Sequence, residues 1–323
     1  MNTENRTEAP LVSVIIPAYN ASGYIAEALD SVLAQTFKDY ETVVVNDGSA
    51  DTPALEQVLA AYGDRIVYLK QENQGVSKAR NTGIHHARGQ FIALLDSDDR
   101  WEPGFLQQQV SMFQSNPNLD LVFSDSILFG ATPLSGRRFM SVYPSSRPVT
   151  LAKLLNGDAT VITSCVVARK TALLEAGLFD EARHYSEDFD LWCRMAAIGK
   201  QIDFSTEPLG RRRIGTGVTM NGIALTTNAI SVFNKHRTLP GITAEHIRII
   251  DRRVPEYEAV LNLHLGKKYL EEKRYKEAGD CFAKANVYYN RWKLRAVLLL
   301  IRTLPGLARW IYRSARSRQA AAA

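Results

Sequence analysis

A chain of 323 residues can hold one large domain with an appendage, and 46% hydrophobic with 23% charged residues is the composition of a globular protein. No stretch approaches the ~20 apolar residues of a membrane-spanning helix. The net charge of +5 resides in the tail, because eight Lys and Arg and no acid lie between Arg291 and the C-terminus; the remainder is slightly acidic, which argues against a nucleic-acid surface on the main domain.

The polar N-terminus has no signal-peptide core. Cys165, Cys193 and Cys281 match no metal or disulfide spacing and read as small buried hydrophobes. Both observations fit a reducing cytoplasm.

Residues 12–18 (VSVIIPA) read as a buried strand stopped by Pro17 and followed by Tyr19-Asn20. An amphipathic helix follows over 25–35, with Ile25, Ala28, Leu29, Val32 and Leu33 on one face. A second strand over 40–46 ends on Asp47. Residues 55–62 read as a helix and 66–69 as a short strand. The stretch 73–83 (NQGVSKARNTG) leads through a helix to a buried strand over 91–95. This is strand–helix alternation with short connections, the pattern of a parallel sheet with crossover helices. In 73–83, Gly75 and Gly83 permit close backbone approach, Lys78 and Arg80 offer positive charge to phosphates, and Ser77 can cap the helix. A solvated basic surface helix explains the same stretch.

The strand at 91–95 runs into Asp96, Asp98 and Asp99. Desolvating a carboxylate costs several kcal/mol unless something neutralises it, and open α/β sheets bind ligands at the carboxyl ends of their strands. Asp96 and Asp98 share a side of an extended chain, which suits a Mg²⁺ or Mn²⁺ ion that keeps water and diphosphate oxygens as its other ligands. An acidic turn capping the helix opened by Pro103 is the alternative.

Residues 121–129 read as a strand, 130–148 as an irregular acceptor-side flap and 161–168 as a strand again. In 186–192 (SEDFDLW), Ser186 is a candidate N-cap, Glu187 and Asp188 stand in the first turn, and Leu191, Met195 and Ile198 form the apolar face. Helix capping accounts for these acids without any chemistry.

Four stretches in order, VSVIIPAYN (12–20), VVVNDGS (43–49), ENQGVSKARNTG (72–83) and FIALLDSDD (91–99), resemble the inverting nucleotide-sugar glycosyltransferases of family two. The resemblance covers about residues 10–215. It implies a GT-A fold: a Rossmann-like, mostly parallel α/β sheet flanked by helices. It implies a donor site of Pro17, Ala18, Tyr19, Asp47, Lys78, Arg80, Asp96 and Ser97, in which Asp47 bonds the base. Asp96 and Asp98 become the metal motif for Mn²⁺ or Mg²⁺, with Asp98 the direct ligand. Asp188 becomes the general base, with Glu187 and Trp192 beside the acceptor. In such a displacement the acceptor hydroxyl loses its proton to a positioned carboxylate, while the leaving diphosphate gains charge that a divalent ion offsets.

One departure concerns 211–216 (RRRIGT), where the family often carries a His; Arg212 or Arg213 can meet the diphosphate instead. The Gln-x-x-Arg-Trp motif of processive synthases is missing, since Tyr288 stands where Gln would precede Arg291-Trp292. A single addition is the expected outcome.

Beyond residue 225 the chain turns helical. Leu265, Gly266, Tyr269, Ala278, Phe282 and Ala285 fit one tetratricopeptide-like hairpin, a partial match because Asn262 and Asn290 replace the expected Trp and Pro. If residues 291–318 form one helix, Arg291, Arg295, Arg302, Arg309, Arg313 and Arg316 fall on about one sixth of its circumference. Such a helix resembles an interfacial segment drawn to anionic lipid, broken by Pro305-Gly306; a frayed basic tail is the alternative.

The expected organisation is therefore a GT-A domain over 1–224, a helical appendage over 225–290 and a basic amphipathic tail over 291–323. The expected function is metal-dependent inverting transfer from a nucleoside-diphosphate sugar, with UDP as the nucleotide, to a glycan or lipid-linked acceptor in polysaccharide or glycoconjugate assembly. The expected place is the cytoplasm, peripherally on the inner face of the cell membrane. A sugar nucleotidyltransferase is disfavoured because strand one is followed by Pro-Ala-Tyr-Asn rather than a basic glycine-rich loop. A non-catalytic nucleotide-sugar-binding scaffold is disfavoured by intact acids at both sites.

Overall fold

The computed structural model describes residues 9–215 and 221–321, and side chains through residue 314. Thr216 and the side chain of Arg316, both part of the readings above, lie outside the described residues. The chain divides into two compact units. One takes Met1–Gly130, Leu134–Ile214 and Leu239–Gly241; the other takes Ala131–Pro133, Gly215–Thr238 and Ile242–Ala323.

The first unit alternates as the sequence suggests: β1 (Val12–Ala18), α1 (Ile25–Leu33), β2 (Tyr40–Asp47), α2 (Thr52–Leu59), β3 (Val67–Gln71), α3 (Val76–His86) and β4 (Phe91–Leu94). β5 (Arg100–Trp101), α4 (Phe105–Ser115), β6 (Leu121–Phe129), α5 (Phe139–Val142), α6 (Leu151–Asn156), β7 (Val166–Arg169), α7 (Lys170–Glu175), α8 (Glu187–Ala197) and β8 (Ile202–Arg213) complete it. Eight strands form one sheet in the order β3-β2-β1-β4-β7-β6-β8-β5. β1 to β4 are mutually parallel and β6 is parallel to β8, whereas β7 lies antiparallel between β4 and β6 and β5 is antiparallel to β8. Every residue of β1 and β4 is buried, as continuous apolar strands covered on both faces require.

α3 packs on β1 and β2, and Gly83 makes that approach possible, because a Cβ there would stand 2.5 Å from Ile15 Cγ2. α2 starts three residues earlier than its apolar spacing indicates, since Thr52 donates its hydroxyl to Ser49 O and a proline opens the first turn. The strand read over 161–168 shrinks to β7, its first half being a 3₁₀ turn over Thr163–Cys165.

The second unit is helical: α9 (Gly222–His236), α10 (Ala244–Glu271), α11 (Tyr275–Tyr289), α12 (Trp292–Thr303) and α13 (Pro305–Ala321). Gly266 of α10 lies against the Phe282 ring of α11, and Ala278 and Ala285 are fully buried. The tail breaks at Pro305, as expected. Leu304 leaves helical geometry at φ −136°, ψ 64°, Arg291 is an N-cap, and Ile301 and Ala308 turn inward, so no single arginine stripe runs its length. Trp292 and Trp310 remain 72% and 65% exposed. Among the described residues no helix is long and apolar enough to cross a membrane.

Candidate active site

The parallel strands deliver their last residues to one edge of the sheet, and the polar residues singled out in the sequence follow those ends. After β1, Tyr19 is 53% exposed while Ala18 is buried. Asn20 adopts φ 52° and is locked to the next loop: its N–H donates to Ser49 Oγ (3.1 Å), and its Oδ1 accepts from Ala50 N (3.1 Å).

Asp47, at the end of β2, is turned into the protein. Its Oδ1 accepts from Gln71 Nε2 (2.7 Å) and Gln74 N (2.9 Å), and its Oδ2 from Gly75 N (2.8 Å). It shapes the loop over 72–75. Gly48 lets that loop pass, since a Cβ there would stand 2.6 Å from Asn73 N.

α3 does not present a solvated basic face. Gly75, at φ 91°, occupies the N-cap, and Ser77, read as a cap, instead donates its hydroxyl to Arg183 O (3.1 Å). Lys78 pairs with Glu181 (3.2 Å). Asn81 exchanges two hydrogen bonds with the Phe179 backbone, Nδ2 to O at 2.9 Å and N to Oδ1 at 3.0 Å. Arg80 is 4% exposed and ion-paired at both ends: Nη2 to Asp96 Oδ1 and Nη1 to Glu187 Oε1, each 2.7 Å. A buried arginine needs such partners, because leaving its charge unpaired would cost several kcal/mol.

The acid triplet divides by environment. Burial opposes ionisation of Asp96, but the charge and hydrogen bond of Arg80 outweigh it and hold its carboxyl below the ordinary value. Asp98 is pushed up, by burial and then by Asp96, and it has no ion-pair partner among the described residues. Asp99 is raised to about 8 by burial and the charges of Asp98 and Asp96; its Oδ1 accepts from Arg213 N (2.6 Å). Asp98, a partly exposed hard oxygen ligand short of positive charge, fits a divalent ion that keeps most of its coordination for water and phosphate oxygens. Among the described residues no group of three or more His, Cys, Asp or Glu forms a self-sufficient metal cage. With Asp96 engaged by Arg80, Asp98 is the carboxylate free to ligate.

Two basic residues approach the triplet from β8 on different terms. Arg213 is committed: Nε donates to Asp98 O (3.1 Å) and Nη2 pairs with Glu27 (3.1 Å). Arg212 lies over the Phe139 ring at 5.2 Å, and its charge acts on Asp96, Asp98 and Asp99.

On α8, Ser186 sits at the N-cap position but in the left-handed region, φ 57°, and makes no side-chain cap. Asp188 is half-buried, its Oδ2 accepting from Thr163 Oγ1 (2.9 Å) and its Oδ1 from Phe189 N (2.7 Å). Glu187 is buried against Arg80 yet pushed up, because burial and the charge of Asp188 outweigh that pairing. Trp192 is corrected as an acceptor contact: at 2% exposure it packs edge-on to Phe179, 6.0 Å between ring centres, inside the core.

Three supporting residues were not singled out in the sequence. Thr163 holds Asp188, and Ser164 Oγ accepts from Asp96 N (3.2 Å). Asp125, wholly buried in β6, accepts from Arg138 Nε (2.8 Å) and Met140 N (2.9 Å), and so fastens the segment after β6. Only Asp125 left a signal, an acid in an apolar strand that demands a partner.

The sequence model of Glycosyl transferase family 2 matches residues 13–176. An uncharacterized glycosyltransferase of Rickettsia prowazekii (strain Madrid E) is 35% identical over 223 residues, 66% of this chain and 67% of its own length. The UDP-Glc:alpha-D-GlcNAc-diphosphoundecaprenol beta-1,3-glucosyltransferase WfgD of Escherichia coli is 32% identical over 186 residues, 56% of this chain and 68% of its own. In fold the chain is similar to S. aureus TarS 1-349 in complex with UDP-GlcNAc (TM-score 0.61, 19% identity, 95% of this chain and 92% of that one). It is equally similar to the mannosyltransferase PcManGT from Pyrobaculum calidifontis in complex with GDP-Man and Mn²⁺ (TM-score 0.61, 20% identity, 98% and 86%). The doubly wound sheet is thus the GT-A fold, and the chain belongs to glycosyl transferase family 2.

Proposed function

We propose that the protein transfers a sugar, with inversion, from a nucleoside-diphosphate sugar to a hydroxyl of a glycan or lipid-linked acceptor, using UDP as the donor nucleotide and Mn²⁺ or Mg²⁺. The observation that carries this reading is that the single guanidinium of Arg80 pairs with Asp96, two residues before Asp98, and with Glu187, the neighbour of Asp188. Asp188 takes the acceptor proton as the hydroxyl attacks the anomeric carbon. Asp98 would hold the divalent ion, which would supply positive charge to offset that of the departing diphosphate. Arg212, the cation near the triplet not committed to an ion pair among the described residues, takes the diphosphate oxygens; Tyr19 lines the nucleotide, whereas Ala18, fully buried in the core, only supports it. TarS in complex with UDP-GlcNAc and the lipid diphosphate in the name of WfgD support the donor and acceptor classes.

The tail supports attachment to an anionic membrane, at the inner face of the cell membrane. On α12, Trp292 and Leu299 share an exposed face flanked by Arg295 and Arg302, and on α13 Leu307, Trp310 and Ile311 are exposed beside Arg313. Aromatic and aliphatic side chains among basic residues without acids suit a headgroup region.

The test is calorimetric titration of UDP and GDP with and without Mn²⁺. Mn²⁺ should tighten UDP binding, and Asp98→Ala should abolish that enhancement. An unchanged enhancement in the variant would remove Asp98 from the metal site.

A further inference from the structure

Asp125 is a wholly buried carboxylate in the middle of β6, and the chemistry proposed above makes no use of it. Burying such a group is costly unless its oxygens are engaged. Its Oδ1 accepts from Ser126 N (2.8 Å) and Met140 N (2.9 Å), and its Oδ2 from Arg138 Nε (2.8 Å). One carboxylate thus grips residues 138 and 140, on either side of Phe139. Arg138 Nη2 also donates to Thr206 O, and Leu128 N donates to Arg137 O (2.8 Å), so the segment is tied to both β8 and β6. Phe139 is left 3% exposed, with the Tyr143 ring 4.8 Å away.

The ring in turn carries Arg212, whose guanidinium lies 5.2 Å from its centre. Neighbouring arginines are committed to carboxylates: Arg80 to Asp96 and Glu187, Arg100 and Arg213 to Glu27, Arg211 to Glu102. A carboxylate that fixed Arg212 would occupy its N–H groups and offset its charge. An aromatic face attracts the cation and leaves the N–H edge to a ligand. We propose that Asp125 and Phe139 are positioning residues that hold Arg212 ready for the diphosphate of the donor: the carboxylate fixes the ring, and the ring fixes the guanidinium. This deepens the donor reading above and rests on it. A guanidinium ordered beforehand need not be ordered on binding, so the ring contributes to affinity for the diphosphate and not for the nucleoside.

Titration of UDP and of uridine in Mn²⁺ tests this. Phe139→Leu keeps an apolar side chain but loses the ring face; it should weaken UDP roughly two- to ten-fold, the cost of ordering one long side chain on binding, and leave uridine unchanged. Phe139→Tyr keeps the face and should keep the affinity for UDP. Asp125→Asn removes the charge that Arg138 answers and should weaken UDP in the same selective way, with Arg138, half-exposed, left in water. Arg212→Met should weaken UDP at least as much, and Phe139→Leu added to it should cost nothing further, because residues that act through one another do not add. Equal losses for UDP and uridine, or a full second loss in the double variant, would make the ring a part of the fold alone and overturn the proposal. If Arg212→Met weakens UDP and Phe139→Leu does not, the diphosphate assignment stands and the positioning role falls. If Arg212→Met binds UDP as the wild type does, the assignment of Arg212 falls and the proposal with it. A wild type that prefers GDP is compared with GDP and guanosine, and one that binds neither nucleotide overturns the proposal together with the donor reading.

Discussion

Asp188→Asn separates chemistry from architecture because its structural cost is small. In the folded protein Oδ1 accepts from Phe189 N and Oδ2 from the Thr163 hydroxyl. An amide keeps the first bond, and at the second its NH₂ meets a hydroxyl that can turn and accept. The stability change should stay within about 1 kcal/mol, the worth of one neutral hydrogen bond. If Asp188 served only the dipole of α8, removing its charge would cost about 0.3–1 kcal/mol of stability and leave turnover alone. Loss of a general base instead lowers the rate by roughly 10²–10⁴-fold, about 2.7–5.4 kcal/mol on the barrier. The assay is UDP release from whichever UDP-sugar and acceptor the wild type turns over, beside UDP affinity by calorimetry in Mn²⁺. Turnover should collapse while affinity holds. Full turnover, or a fall in affinity that matches the fall in rate, would return Asp188 to a helix-terminal role.

Gly83→Ala sets a helix-propensity gain of about 1 kcal/mol against a methyl placed 2.5 Å from the fully buried Ile15. Overpacking, at about 1–3 kcal/mol, should win, and a higher urea midpoint would refute that. Removing residues 291–323 would strip Ile301 and Ala308 from the core of the helical unit, so membrane binding is better tested with the exposed tryptophans. Trp292→Ser with Trp310→Ser should reduce sedimentation with anionic liposomes several-fold at low salt and leave melting unchanged; equal sedimentation would exclude this contact. Glu41 is pushed up by burial, but bonds from the Ser13 hydroxyl and from the Arg88 N–H and guanidinium outweigh this and hold it below its ordinary 4.5. A depressed folded value adds stability that is present above the unfolded value and lost as pH falls through the folded one. Glu41→Gln should therefore flatten the acid limb of the stability curve below about pH 4.5, and an unaltered limb would contradict the pairing.

The strands were legible because β1 and β4 are almost wholly apolar and β2 and β6 carry shorter apolar runs, a pattern that survives without knowledge of neighbours. The acids at their ends were legible for the complementary reason, that charge does not belong in such strands. What could not be read is set by residues far apart. Arg80 resembles a solvated basic residue until Asp96 and Glu187, 16 and 107 positions away, come into reach. The apolar face of α8 is in phase at Leu191 and Met195, both fully buried, but Ile198 lies past the helix end at 43% exposure, and Trp192 is buried as well because the helix is covered on more than one side. Ser186 has the chemistry of a cap, but a left-handed backbone turns it away from the amides it would serve.

The antiparallel course of β7 has a consequence for how the site can change. A parallel strand presents its trailing end at the edge that carries the acids, but β7 presents its leading end, with Val166 beside Leu94. Thr163 and Ser164 thereby enter the site from a turn that precedes the strand, and they touch Asp188 and the backbone of Asp96 respectively. Both side chains are buried, at 7% and 4% exposure, and each is engaged in a hydrogen bond, so a substitution in this one turn alters the surroundings of both acids at once while the sheet that carries them stays as it is.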